Sequence, residues 1–275
     1  MIKIFDNEVI VKYYPDGTQH IEIPNIVKDM RDLFHGIRST IEVNWNYESD
    51  EELITLIYTK GYLDEKYNKL VNLNMFYIPN ARMDRVRDYK DVFTLKYFAQ
   101  IINSLNFDTV NVLDPHSTVS EALIDRIKIH SPKPFIKKVL DAIDIHTLFF
   151  PDEGAMKRYS KMFDIPFVFG VKNRDWKTGN ILGLDVIGDQ DLINGKNILI
   201  IDDICSKGGT FYYSAKKLKE LGANKIYLFV SHCEDTIIYG ELLNEDLIKC
   251  IWTTDSLITI EHEKIKVMSI NEVIK

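Results

Sequence analysis

Residues 197–210 read Asn-Ile-Leu-Ile-Ile-Asp-Asp-Ile-Cys-Ser-Lys-Gly-Gly-Thr. The run Ile198–Ile201 is unbroken, apolar and rich in β-branched residues, the pattern of a strand buried on both faces. Such a strand belongs in a layered α/β sheet. Asp202 and Asp203 are expected at its carboxyl end, followed by Ser206, Lys207, Gly208, Gly209 and Thr210 and a helix opening near Phe211. Glycines let backbone N–H groups approach an anion, the helix end adds positive potential, and Thr210 offers a hydroxyl, so the segment reads as a phosphate cradle. The two acids cannot serve the phosphate itself. They suit ribose hydroxyls or a bridging divalent cation. A plain capped turn needs neither two aspartates nor two glycines.

The chain has 275 residues, enough for two compact domains. A formal charge of −7 with no basic stripe argues against a nucleic-acid partner. Apolar runs are too short to cross a bilayer, and Met1–Asp6 lacks the apolar core of a secretion signal. Cys205, Cys233 and Cys250 have no metal-ligand spacing and leave one thiol over in any pairing, so a reducing cytoplasm is expected.

Strand and helix patterns alternate along the chain. Ile2–Ile23 reads as a hairpin around Tyr14-Pro15-Asp16-Gly17, and Arg38–Asn44 as a strand. A helix is expected after Ser49 or Asp50 as cap, then a further helix ending near Leu73 and a strand at Met75–Pro79. Asn80–Asp91 reads as a loop, Val92–Leu105 as a helix and Thr109–Leu113 as a strand. A passage between domains falls near Ser131–Pro134, giving domains of residues 1–135 and 136–275. In the second half, strands are expected at Thr147–Phe150, Pro166–Gly170, Ile181–Ile187, Ile198–Ile201, Ile226–Ser231, Lys249–Trp252 and Ile265–Met268. Helices are expected at Ala155–Phe163 and Phe211–Leu221, and Lys172–Asn180 reads as a mobile loop. The alternation implies mainly parallel sheets with right-handed crossovers.

Ligands of such sheets bind beyond the carboxyl ends of the strands. Arg82, Asp84 and Arg85 follow one strand, His116 another, Asp152 a third, and Asp202 and Asp203 a fourth. Arginines can fork onto phosphate oxygens. His116 and Asp152 could hold Mg²⁺, and Lys172 and Arg174 could close over a transferring phosphoryl group and stabilise its charge. A lone histidine after a strand is more often structural, and a Lys/Arg loop is usually solvated surface. It is the repetition after successive strands that raises both.

Residues 198–210 resemble the phosphoribosyl-diphosphate (PRPP) loop of type I phosphoribosyltransferases and ribose-phosphate pyrophosphokinases. Further motifs favour the pyrophosphokinases. Tyr14-Pro15-Asp16-Gly17 resembles their aromatic-x-Asp-Gly turn, and Asn80-Ala81-Arg82-Met83-Asp84-Arg85 their Tyr-Ala-Arg-Gln-Asp-Arg segment. Asp114-Pro115-His116-Ser117 resembles their Asp-Leu-His-Ala, Pro151–Ala155 their Pro-Asp-x-Gly-Gly, and Lys172-Asn173-Arg174 the Lys-Arg-Arg of their catalytic loop. Gly188-Asp189, Thr254-Asp255-Ser256 and Ile265-Lys266-Val267 also match, so the resemblance runs along nearly the whole chain.

The resemblance implies two tandem phosphoribosyltransferase-like, Rossmann-like α/β domains. It implies transfer of the β,γ-diphosphoryl group of Mg-ATP to the anomeric hydroxyl of ribose 5-phosphate, giving PRPP and AMP, in a cytoplasmic homo-oligomer without membrane or nucleic-acid partners. Arg82, Asp84, Arg85 and His116 would serve ATP; His116 the metal; Asp152 a metal or the ribose site; Lys172 and Arg174 the transition state; Asp202 and Asp203 the ribose hydroxyls; and Ser206–Thr210 the 5-phosphate.

Several positions depart from the family pattern. Met83, Asn173 and Ala155 replace a glutamine, a basic residue and a glycine, and residues 25–36 do not match the usual adenine and subunit-contact region. Ser206-Lys207 stands where Asp-Thr is usual, which changes the charge at the 5-phosphate and makes a larger ester such as ADP-ribose, a substrate of NAD metabolism, a rival acceptor. A PRPP-consuming phosphoribosyltransferase would have no use for Arg82, His116 or Lys172, and an inactive regulatory homologue would have lost loop and metal residues, whereas Lys172, Arg174, His116, Asp202 and Asp203 are present.

Overall fold

A computed structural model describes residues 1–26, 31, 40–67, 69–174 and 181–273, with only the backbone at 172–174 and 181–183. The chain divides into two compact units, Met1–Ser131 and Pro132–Lys275.

Unit 1 runs β1 (Ile2–Ile4), β2 (Asn7–Glu8), β3 (Ile10–Tyr13), β4 (Gln19–Glu22), β5 (Ile41–Trp45), α1 (Glu52–Lys66), β6 (Val71–Asn74), α2 (Thr94–Ser104), β7 (Thr109–Leu113), α3 (Thr118–Leu123) and β8 (Ile127–His130). Its sheet has the order β2-β1-β5-β6-β7-β8, and β3 and β4 form a separate hairpin closed by the Tyr14–Thr18 turn. Strands β5 to β8 are parallel, and each neighbours the next in sequence. Right-handed crossovers therefore place α1, α2 and α3 on one face. The side chains agree. Ile41, Val43, Leu73, Val110 and Val112 share one core with Leu56 and Leu63 of α1 and with Leu95, Phe98 and Ile102 of α2.

The alternate residues of these strands are polar and bond to one another across the sheet. His130 Nε2 meets Asn111 Oδ1 at 2.9 Å, Asn111 Nδ2 donates to Asn74 Oδ1 at 2.8 Å, and Asn74 Nδ2 donates to Asn44 Oδ1 at 2.7 Å. Glu42 accepts from Asn72 at 2.9 Å and from Asn74 at 3.1 Å.

Unit 2 runs α4 (Lys133–Ala142), β9 (Thr147–Phe150), α5 (Glu153–Tyr159), β10 (Phe167–Arg174), β11 (Ile181–Ile187), β12 (Ile198–Cys205), α6 (Gly209–Glu220), β13 (Ile226–Cys233), β14 (Cys250–Thr254), β15 (Ile265–Met268) and α7 (Ile270–Val273). The sheet order is β11-β10-β9-β12-β13-β14-β15, parallel except for the β10–β11 pair. The chain steps one way from β9 to β10 and the other way from β12 to β13, so helices cover both faces. Tyr159 of α5 stacks on Phe150, 6.4 Å between ring centres, while Phe211, Ala215 and Leu218 of α6 pack with Phe149, Ile198 and Ile200.

Some sequence expectations need correction. Strand β12 does not stop at Ile201 but continues to Cys205, because β13 keeps pairing with it through Asp202↔Val230, Ile204↔His232 and Cys205↔Cys233. The strand expected at Met75–Pro79 lies at Val71–Asn74 and replaces the helix expected to end near Leu73. Val71 and Leu73 supply the apolar alternation there, and Pro79 cannot donate to a ladder. Residues Lys172–Arg174 are not loop but the end of β10, paired with β11 across a bulge at Asn173/Arg174; residues 175–180 of that expected loop lie outside the described residues, as does most of 25–36. Helix α5 begins at Glu153 rather than Ala155 and ends at Tyr159 rather than Phe163. Neither Ser49 nor Asp50 caps α1. Glu52 reaches back instead, its Oε2 accepting from the Glu48 N–H at 2.8 Å.

Candidate active site

In unit 2 the order of the sheet reverses between β9 and β12, the place where a parallel sheet opens a crevice at its strand ends. Strand β9 pairs with β12 only as far as Phe149↔Ile200, so Asp202 and Asp203 project beyond it. The turn after β9 delivers Asp152, which caps α5 by accepting from the Ala155 N–H at 3.0 Å. Asp203 is buried and paired with Arg158 of α5, Nη1 to Oδ2 3.3 Å. Asp202 is half-buried and accepts the Asp203 N–H at 3.0 Å. Burial first, then the charges of Asp203 and Asp152, holds the Asp202 carboxyl well above its usual range. Three carboxylates thus gather with Arg158, and their negative charge fits a divalent cation or ribose hydroxyls.

The cradle follows directly. Lys207 is exposed, and Gly208 takes the left-handed conformation, φ +78°, that a side chain resists. Gly208 also packs against Leu242, whose Cδ2 would lie 2.8 Å from a Cβ at 208. Helix α6 opens at Gly209 with no side-chain cap, leaving its first N–H groups for an anion. Cys205 and Cys233 are buried register partners at the base of this loop, and contact with Cys233 and burial push the Cys205 thiol well above its usual range. Backbone pairing brings Lys172, Asn173 and Arg174 to the end of β10, on the other side of β9 from β12.

In unit 1 the ends of β6 and β7 lie side by side, joined by Leu113 N–H to Phe76 O at 2.9 Å. Arg82, Asp84 and Arg85 sit in the irregular segment after β6. Asp84 is buried and accepts from Arg85 Nε at 3.0 Å, and Arg82 is exposed. His116 is half-buried between β7 and α3, whose cap is Ser117. Asp114 before it holds the strained left-handed conformation, φ +40°. In unit 1, Arg82, Asp84, Arg85 and His116 thus follow the carboxyl ends of two neighbouring strands, and in unit 2 Asp152, Asp202, Asp203 and residues 206–210 follow or end β9 and β12. Among the described residues no group of three or more His, Cys, Asp or Glu is set to hold a metal alone. A magnesium site of one or two protein ligands completed by phosphates needs no such group.

Arg158 was not foreseen, because a basic residue in the last turn of a short helix is an ordinary surface feature. Gly240 was not foreseen either: it lies against the Lys207 carbonyl, a contact across 33 positions with no local signal.

No protein-family profile matches the chain. The chain is similar to the ribose-phosphate pyrophosphokinase of Pyrococcus abyssi, 24% identical over 271 residues that cover 97% of this chain and 89% of the relative. That of Fusobacterium nucleatum is 26% identical over 275 residues, covering 96% and 83%. That of Saccharolobus solfataricus is 26% identical over 228 residues, covering 80% and 75%. The crystal structure of phosphoribosylpyrophosphate synthetase from Mycobacterium smegmatis superposes with a TM-score of 0.76 at 16% identity, over 96% of this chain and 87% of that one. Similarity to the ribose-phosphate pyrophosphokinases thus runs nearly end to end along the two α/β units of the chain.

Proposed function

We propose that the protein is a Mg²⁺-dependent diphosphokinase that converts ATP and ribose 5-phosphate to AMP and PRPP. The observation that carries this reading is the acid pair Asp202-Asp203 running directly into an uncapped, glycine-lined helix start in a chain similar to pyrophosphokinases over nearly its whole length. The acids accept the ribose hydroxyls, and residues 206–210 hold the 5-phosphate through backbone N–H groups and Thr210. Arg82 and Arg85 fork onto ATP phosphates, and Asp84 orients Arg85. The anomeric oxygen attacks the β-phosphorus, the bond from that phosphorus to the bridging oxygen of AMP breaks, and the hydroxyl proton passes to solvent. Lys172 and Arg174 stabilise the charge that develops on the transferring group. His116 would coordinate a Mg²⁺ carried by ATP, which would neutralise phosphate charge, and Asp152 would serve a metal or the ribose site. The enzyme acts as a cytoplasmic homo-oligomer.

A second acceptor is favoured by one observation. Lys207 is exposed beside the cradle in place of a usual threonine and follows Ser206 in place of an aspartate, which suits a 5-phosphate that continues as a diester. Incubation with Mg-ATP and either ribose 5-phosphate or ADP-ribose decides. AMP formed with ribose 5-phosphate supports the first reading, and AMP formed only with ADP-ribose transfers the reaction to the larger acceptor. AMP with neither overturns both.

A further inference from the structure

The phosphate loop does not hold its shape alone. It rests on a second segment, the 3-10 helix Asp235–Tyr239 and the residues after it. Three ties fix that segment. Asp235 accepts from the Thr259 N–H at 2.8 Å, and Lys264 Nζ donates to the carbonyls of Leu243 and Glu245, each at 3.0 Å. The Tyr212 hydroxyl of α6 donates to Glu245 at 3.0 Å. Ile237 and Leu242 are buried beneath it.

Gly240 lies where this support meets the loop. A Cβ on Gly240 would overlap the Lys207 carbonyl oxygen and lie 2.8 Å from its carbon. Gly240 itself has φ −106°, so its backbone conformation does not call for glycine; only the close approach does. The approach has a directional consequence. A trans peptide points its C=O and N–H in opposite directions. With the Lys207 carbonyl turned onto Gly240, the N–H of Gly208 is turned away from the support. Leu242 then fills the space against Gly208, whose φ of +78° fixes the next turn into α6.

We propose that Gly240 is a positioning residue: its bare Cα accepts the Lys207 carbonyl and thereby aims the Gly208 N–H at the acceptor's phosphate. The role rests on reading residues 206–210 as the phosphate cradle, but not on which diphosphoryl acceptor is used. The orientation of one peptide plane then depends on a residue outside the loop motif.

The full chain labelled with ¹⁵N-glycine is titrated with inorganic phosphate and, separately, with ribose 5-phosphate. The Gly208 amide proton is expected to move downfield on saturation with either. Gly240→Ala is expected to weaken both probes by ~10-fold or more, the scale of one charge-assisted hydrogen bond. It should raise KM for the acceptor while KM for ATP stays near wild type. A Gly208 amide that stays still while a phosphate probe binds overturns the proposal, as does a folded Gly240→Ala with wild-type phosphate affinity. If Gly240→Ala fails to fold, the wild-type titration alone decides. No AMP from either acceptor, together with a Gly208 shift in inorganic phosphate, would defeat the diphosphokinase reading and leave the positioning role standing. A Gly208 amide moved by neither probe would defeat the role.

Discussion

The two sheets solve the same packing problem in opposite ways. In unit 1, β5 to β8 follow one another across the sheet, so their helices fall on one face and the strands alternate: Ile41, Val43 and Trp45 inward, Glu42 and Asn44 outward. In unit 2 the order turns at β9, helices cover both faces, and β9 and the first half of β12 are buried residue after residue. The contrast teaches that strand order, through crossover handedness, decides whether a strand needs one apolar face or two. It also separates two uses of polar residues. The amides of unit 1 satisfy one another along a half-buried face, whereas the aspartates of unit 2 stand together at a strand end and strain against one another.

The largest expected effect tests whether unit 2 carries the chemistry. Lys172→Ala and Arg174→Ala should each lower kcat by ~10³-fold or more, with melting temperature unchanged. Near-normal turnover in both would remove the end of β10 from the mechanism. A stability pair then tests the one-faced sheet within a single strand. Leu73→Ala should cost about 2–5 kcal/mol by loss of buried apolar volume. Asn74→Ala, next to it and facing the other way, should cost about 1 kcal/mol, because water can replace a half-buried amide. Equal costs in denaturant titrations would break the contrast.

The smallest effects have opposite signs with pH. His130 is held below its ordinary 6.5 by burial and then by Lys128, so the folded state resists its protonation and stability is lost as pH falls below 6.5. Asp202 is raised above its ordinary 3.8, so the folded state binds its proton more readily and stability is lost as pH rises above 3.8. Asp202→Asn should therefore melt higher than wild type at pH 7, with the gain shrinking towards pH 4, while activity is lost. An unchanged melting temperature across that range would show that the acid pair carries no such strain.

The same contrast explains what was legible beforehand. Ile198–Ile201 and Thr147–Phe150 read plainly as buried strands because continuous apolar runs leave little choice, and Thr109–Leu113 by its alternation. The extension of β12 to Cys205 was hidden, since Asp202 and Asp203 break the apolar run and only the register with β13 holds them in a strand. Lys172–Arg174 are polar and look like loop until β11 pairs with them. Helix α3 and strand β8 are short and mixed in character, with Lys128 and His130 among the four strand residues. Within the site, the acids and the glycine pair announced themselves by local spacing. Arg158 and Gly240 act through contacts that only the folded chain creates.

In the proposed reaction a diphosphoryl group, not a single phosphoryl group, leaves ATP. ATP labelled at the β-phosphorus, incubated with Mg²⁺ and ribose 5-phosphate, tests it directly. Unlabelled AMP and label in the diphosphate of PRPP are expected, one for one. Label recovered in ADP, or remaining in ATP while the acceptor is unchanged, would contradict it.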